Sequence, residues 1–130
     1  MEEKKILFID DDKAQRGIIN DIIKKLGYTV ETVGSSEEAI RVLAKNKYPL
    51  IITDLKMPGI DGMELCKRIR EIGSESVIYA LSGHVAEFDP ELFEEIGFDG
   101  HLCKPVNIKV LKLAIEGAFE QLCSSMREAE

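Results

Sequence analysis

Cysteine is scarce in this chain, and what little there is excludes two architectures. Cys66, Cys103 and Cys123 are an odd number in 130 residues. They lie far apart with no Cys-x-x-Cys pair or His-rich neighbourhood, so neither a disulfide framework nor a zinc-knuckle fold is expected. Buried free thiols are the expectation instead. Long apolar runs are also missing: the longest fall well short of the roughly 20 residues that cross a bilayer, so no membrane span is expected. The opening "MEEKK" leads into no apolar signal region or small-residue cleavage site, which places the expected compartment in the cytoplasm. Basic excess is absent too. With 17 Lys and Arg against 24 Asp and Glu, the net charge is −7. Phosphate-backbone binding rests on clustered cations, so nucleic acid is not expected as a direct partner. No repeat, linker or low-complexity stretch divides the chain. A single domain over 1–130 follows, with an ordered core at about 4–123 and a frayed tail over 124–130.

What the chain does have is alternation. Strand-length apolar runs, "KKILFID" (4–10), "YTVETV" (28–33), "YPLIITD" (48–54), "SVIYALS" (76–82) and "FDGHLCK" (98–104), take turns with segments of helical period. Ile18, Ile19, Ile22, Ile23 and Leu26 form one helical stripe, stopped by Gly27. Ser35 and Glu38 have capping-box spacing ahead of Ala39, Ile40 and Leu43. Asp61 caps a third helix carried by Leu65, Ile69 and Ile72 and stopped by Gly73. Asp89-Pro90 starts a short fourth helix through Leu92, Phe93 and Ile96 to Gly97. Asn107 starts a fifth, carried by Ile108, Leu111, Ile115, Ala118 and Leu122.

Such β/α alternation predicts an α/β fold, a doubly wound parallel sheet with helices on both faces. The first, third and fourth runs are apolar enough to be central strands, whereas "YTVETV" alternates and reads as an edge. Ligands in open parallel sheets bind beyond the carboxyl ends of the strands. There the first strand delivers Asp10-Asp11-Asp12, the third Thr53-Asp54, the fourth Ser82-Gly83 and the fifth Lys104-Pro105. The predicted edge strand delivers nothing reactive. Asp10, Asp11 and Asp54 against Lys104 leave two uncompensated negative charges, which one divalent cation would neutralise. Carboxylate oxygens without His or Cys favour Mg2+, or Mn2+, over zinc. A metal, an ammonium and a hydroxyl around a carboxylate are the parts a phosphoryl-transfer site needs. Asp12 is expected to serve the helix N-terminus rather than the chemistry.

The acidic pair Asp10-Asp11, "IITDLKMPGIDG" around Asp54, "LSG" around Ser82 and "CKP" around Lys104 together resemble the receiver domains of bacterial two-component response regulators. The resemblance covers essentially the whole chain. It implies a flavodoxin-like five-stranded sheet of order 2-1-3-4-5 with five helices, in the manner of a single chemotaxis-type receiver. It implies Asp54 as the phosphoacceptor, charged by a histidine kinase or a histidine phosphotransfer protein. Asp11, Asp54 and the backbone carbonyl of Lys56 would ligate Mg2+, with Asp10 acting through coordinated water. Lys104 would pair with the Asp54 carboxylate and then with a phosphoryl oxygen, and Pro105 would follow a cis bond. Met57-Pro58-Gly59 would shape the loop after the acceptor. Ser82 matches the switch hydroxyl, and the signalling surface would comprise the fourth helix, fifth strand and fifth helix. His101 stands where the family usually has Tyr or Phe, a departure that would alter the aromatic switch or make it pH-sensitive. Lys56 and His84 match the positions that tune dephosphorylation. The implied protein is a signalling phosphoacceptor with self-phosphorylation and autodephosphorylation only, not a turnover enzyme.

Two rival readings come from other classes. Asp10-x-Asp12 after an apolar strand is also the arrangement of haloacid-dehalogenase-type phosphatases, with Asp10 as nucleophile and Asp12 as general acid. Ala14 and the short chain depart from that pattern. A docking module that has lost phosphorylation is the other, and retention of every acid, the hydroxyl and the lysine argues against it. Cys103 is expected as a core thiol facing away from Lys104.

Overall fold

Residues such as Ile6, Leu7, Phe8 and Ile9 can be buried only if both faces of their strand are covered, and the chain meets that condition with helices above and below one sheet. A computed structural model describes residues 4–83 and 89–129, with side chains through residue 123. The strands are β1 (Lys5–Ile9), β2 (Thr29–Val33), β3 (Leu50–Asp54), β4 (Val77–Ser82) and β5 (Gly100–Cys103). They alternate with α1 (Lys13–Lys25), α2 (Ser36–Lys45), α3 (Gly62–Glu71), α4 (Pro90–Ile96) and α5 (Ile108–Ala129). All pairings are parallel, in the order β2-β1-β3-β4-β5. This is the flavodoxin-like order that the resemblance implies, with β2 at an edge.

Period-two alternation divides the core between the two faces. Ile6, Phe8, Leu50, Ile52, Val77, Leu81 and Leu102 pack with Ile19 and Ile23 of α1 and Leu111, Ile115 and Ala118 of α5. Leu7, Ile9, Ile51, Ile78 and Ala80 pack with Ala39 of α2, Leu65, Cys66 and Ile69 of α3, and Phe93 and Ile96 of α4. Every residue of β3 is buried, as a central strand requires.

The helix starts follow the expected chemistry. Ser35 Oγ accepts from the Glu38 N–H at 3.1 Å, while Glu38 Oε2 accepts from the Gly34 N–H at 3.1 Å, one residue earlier than a standard capping box. Asp61 accepts from the Glu64 N–H, and Asp89 from Glu91 and Leu92 with Pro90 in the first turn. Asn107 Oδ1 accepts from the Val110 N–H at 2.8 Å.

Several expected core positions are exposed instead. Ile18 lies off the buried stripe because Ile19 and Ile23 set the inward face of α1 and neighbouring helical residues are about 100° apart. Leu92 is displaced from Phe93 and Ile96 in the same way. Ile72 is the C-cap of α3, past its last packed turn, and Ile108 opens α5 ahead of the buried Leu111. Cys66 is a buried free thiol as expected, but Cys103 and Cys123 are exposed. β5 ends at Cys103 on the outer edge of the sheet, and Cys123 lies beyond the buried turns of α5. The helix α5 runs to Ala129.

Candidate functional site

Parallel register brings four chain segments to one rim. Ile9 pairs with Thr53, Asp54 with Leu81, and Ser82 with Cys103, so Asp10, Asp54, Ser82 and Lys104 emerge from neighbouring strand ends. The Lys104 N–H donates to the Ser82 carbonyl at 2.8 Å, extending the β4–β5 ladder by one rung. The Lys104-Pro105 bond is cis.

Three carboxylates converge there: oxygens of Asp10, Asp11 and Asp54 all lie within 4.8 Å of one another. Asp10 is fully buried, Asp54 and Ser82 are nearly so, and Asp11 is open to solvent. Lys104 Nζ stands 3.1 Å from Asp54 Oδ2 and 3.9 Å from Asp10 Oδ2. Asp10 Oδ1 accepts from the Asp12 N–H at 3.0 Å. Asp10 Oδ2 is buried with no hydrogen-bond partner among the described residues. Burial raises the pKa of the Asp10 carboxyl; the nearby Asp54 and Asp11 charges add to the rise, and the Asp12 N–H and Lys104 oppose it. A buried carboxylate oxygen with no donor, facing two more acids under one ammonium, suits a hard divalent cation.

The loop after Asp54 is folded tightly behind it. A Cβ at Gly62 would stand 2.3 Å from the Asp54 carbonyl oxygen, so only glycine fits where α3 begins. The Gly62 N–H donates to the Leu55 carbonyl at 2.9 Å, and Thr53 Oγ1 donates to the Asp54 carbonyl at 3.0 Å. Asp12 takes no place in the acidic cluster. Its carboxylate accepts from the Ala14 and Gln15 N–H groups and caps α1, as expected from its position. That leaves the Asp10-x-Asp12 phosphatase reading without its general acid.

Of the remaining positions, Lys56 is exposed on the β3–α3 loop. His101 is half-buried on β5, its ring edge-on to Phe93 with centroids 5.8 Å apart. His84 lies outside the described residues. Two arginines escaped the reading of the residues. Arg16 Nη1 donates to the Asp10 carbonyl at 2.7 Å. Arg70 donates to the carbonyls of Ser74, Ser76 and Gly97 and to Asp99, gathering the ends of α3 and α4 and the start of β4. Neither lies in an acidic or apolar pattern that would single it out along the chain.

The model of the response regulator receiver domain matches residues 6–116. The chain belongs to that family. As a receiver domain, the chain is a phosphoacceptor module of two-component signalling. It is 32% identical over 111 residues to the sensor histidine kinase RcsC of Salmonella typhimurium, covering 85% of this chain but 12% of that kinase. The receiver domain thus spans a small part of the curated relatives it matches. Among solved structures, a response regulator receiver domain protein of Clostridium thermocellum superposes with a TM-score of 0.83 at 32% identity, covering 90% of this chain and 94% of that one. The chemotaxis protein CheY4 of Vibrio cholerae gives 0.82 at 28% identity, over 90% of this receiver and 99% of that chain. The response regulator TrrA of Thermotoga maritima, solved in complex with Mg2+ and BeF, gives 0.81 at 27%, over 88% and 98%.

Proposed function

We propose that this receiver takes a phosphoryl group onto Asp54 from a histidine kinase or a histidine phosphotransfer protein, in the cytoplasm. The carrying observation is the convergence of Lys104 and the Asp10–Asp11 pair on the Asp54 carboxylate. An Asp54 oxygen forms the new P–O bond while the bond to the donor's leaving group breaks, and that group departs with the electron pair. The product is an acyl phosphate, labile enough to be erased by water. Lys104, already paired with Asp54, transfers its ammonium contact to a phosphoryl oxygen. Asp11, Asp54 and the Lys56 carbonyl would hold Mg2+, with Asp10 acting through water; when bound, the ion supplies the positive charge that these acids and the incoming oxygens lack. The Mg2+–BeF complex of the Thermotoga relative supports this assignment.

Ser82, buried at the end of β4, is the hydroxyl that senses the phosphoryl group and draws its loop along. His101 responds in the place of an aromatic ring, altering the face formed by α4, β5 and α5. Lys56, exposed on the loop after Asp54, and His84, by its match to a family tuning position, govern how fast water reaches the acyl phosphate. The test is Mg2+-dependent labelling with a small phosphodonor such as acetyl phosphate. Wild type is expected to label and Asp54→Asn not to; label persisting in the variant overturns the assignment.

A further inference from the structure

Asp10 and Asp11 reach the metal site from a three-residue turn, and something must hold that turn against the mutual repulsion of its carboxylates. Arg16 meets the requirement. Its main-chain N–H donates to the Asp12 carbonyl at 3.0 Å, while its side-chain Nη1 turns back to donate to the Asp10 carbonyl at 2.7 Å. One residue therefore ties both ends of the Asp10-Asp11-Asp12 turn. The guanidinium lies over Gly34, where an added Cβ would stand 3.0 Å from Nη1 and 3.4 Å from Cζ. The missing side chain at Gly34 is what leaves room for the arginine. Val33, just before it, anchors the same turn by accepting from the Asp10 N–H at 3.2 Å.

We infer that Arg16 is a positioning residue for the acidic site: seated over Gly34, it fixes the Asp10 peptide so that Asp10 and Asp11 converge with Asp54 on one cation. This rests on the Mg2+ reading given above. A positioning role and a mere charge role have opposite signs. A guanidinium that only contributes positive charge near the acids repels a divalent cation, so removing it would tighten Mg2+ binding. A guanidinium that holds the turn does the reverse, because loss of a group orienting metal ligands weakens binding by about tenfold or more.

The experiment measures Mg2+ binding by calorimetry on the whole chain in wild type, R16A, R16K and G34A, with amide hydrogen exchange at Asp12 in metal-free protein. R16A is expected to bind Mg2+ about tenfold more weakly and to exchange the Asp12 amide faster. R16K, which keeps the charge but lacks the planar fork, is expected to recover only part of the loss. G34A keeps Arg16 but crowds its seat and is expected to weaken Mg2+ binding as well, which keeps the question answerable if R16A fails to fold. Unchanged or tighter Mg2+ binding in R16A, or in G34A where R16A does not fold, overturns the inference while leaving the acceptor assignment standing. A wild type that binds no Mg2+ overturns both.

Discussion

Lys104 Nζ lies 3.1 Å from Asp54 Oδ2, an ion pair that joins the end of β5 to the end of the central strand β3. The same ammonium is 3.9 Å from Asp10 Oδ2, so one lysine faces two carboxylates, and a third, Asp11, adjoins them. Without a divalent cation the site is over-supplied with negative charge, and its acids oppose the fold that brings them together.

A stability effect of opposite sign with and without metal follows. Asp10→Asn removes a buried, poorly compensated charge, and in metal-free buffer it is expected to stabilise the fold by about 1 kcal/mol. With millimolar Mg2+ the wild type gains linkage stabilisation that the variant largely loses, so the order is expected to reverse. Thermal unfolding of both proteins with EDTA and with MgCl2 measures this. Equal responses to Mg2+ would rule it out.

Gly62 and Gly117 offer a paired test of packing. A methyl group at Gly62 meets the Asp54 carbonyl, and Gly62→Ala is expected to cost about 2–4 kcal/mol in urea unfolding and to disturb labelling of Asp54. Gly117 is exposed on α5 with open space around its Cα, and Gly117→Ala is expected to stabilise by about 0.5–1 kcal/mol. A benign Gly62→Ala would show that the loop behind the acceptor is looser than its geometry.

The thiols are expected to separate into two classes. Cys103 and Cys123 are exposed and should modify promptly with an aromatic disulfide reagent. Cys66 is buried in the α3 face of the core, and burial pushes its thiol up to about 11, so it should react only on unfolding. Counting thiols released before and after denaturant checks the division, and three fast thiols would refute it.

Burial lowers the pKa of His101 below its ordinary value of 6.5. The unfolded chain therefore binds this proton more readily than the folded one. Stability is unaffected by the group above the unfolded pKa and falls as the pH drops below it toward the lowered folded value. His101→Phe removes that loss and keeps a ring beside Phe93. The stability gap between variant and wild type is thus expected to widen in favour of the variant from pH 7.5 to pH 5. Urea midpoints across that range measure it, and a constant gap would exclude His101 as a source of pH sensitivity.

The primary sequence by itself determined the alternation of strands and helices, the strand order implied by the family resemblance, the caps and the membership of the acidic rim. The alternation, the caps and the rim rest on signals only a few residues long: period-two and 3.6 patterns, Ser, Asp and Asn at helix starts, and charged residues directly after apolar runs; the strand order came only with the resemblance of motifs spread along the whole chain. Burial at the ends and margins of elements was not legible in this way. Ile18, Ile72, Leu92 and Ile108 are apolar at helical spacing, yet whether each faces the core depends on the rotation and reach of its helix against the sheet. Cys103 is exposed because β5 is the outer strand, a property of the whole sheet order. Distances belong to tertiary structure as well. The Lys104–Asp54 pair, the buried Asp10 oxygen that has no hydrogen bond among the described residues and the reach of Arg16 over Gly34 arise only when parallel register sets strand ends side by side. Local patterns place residues at the rim; only the packed sheet brings their atoms within reach of one ion.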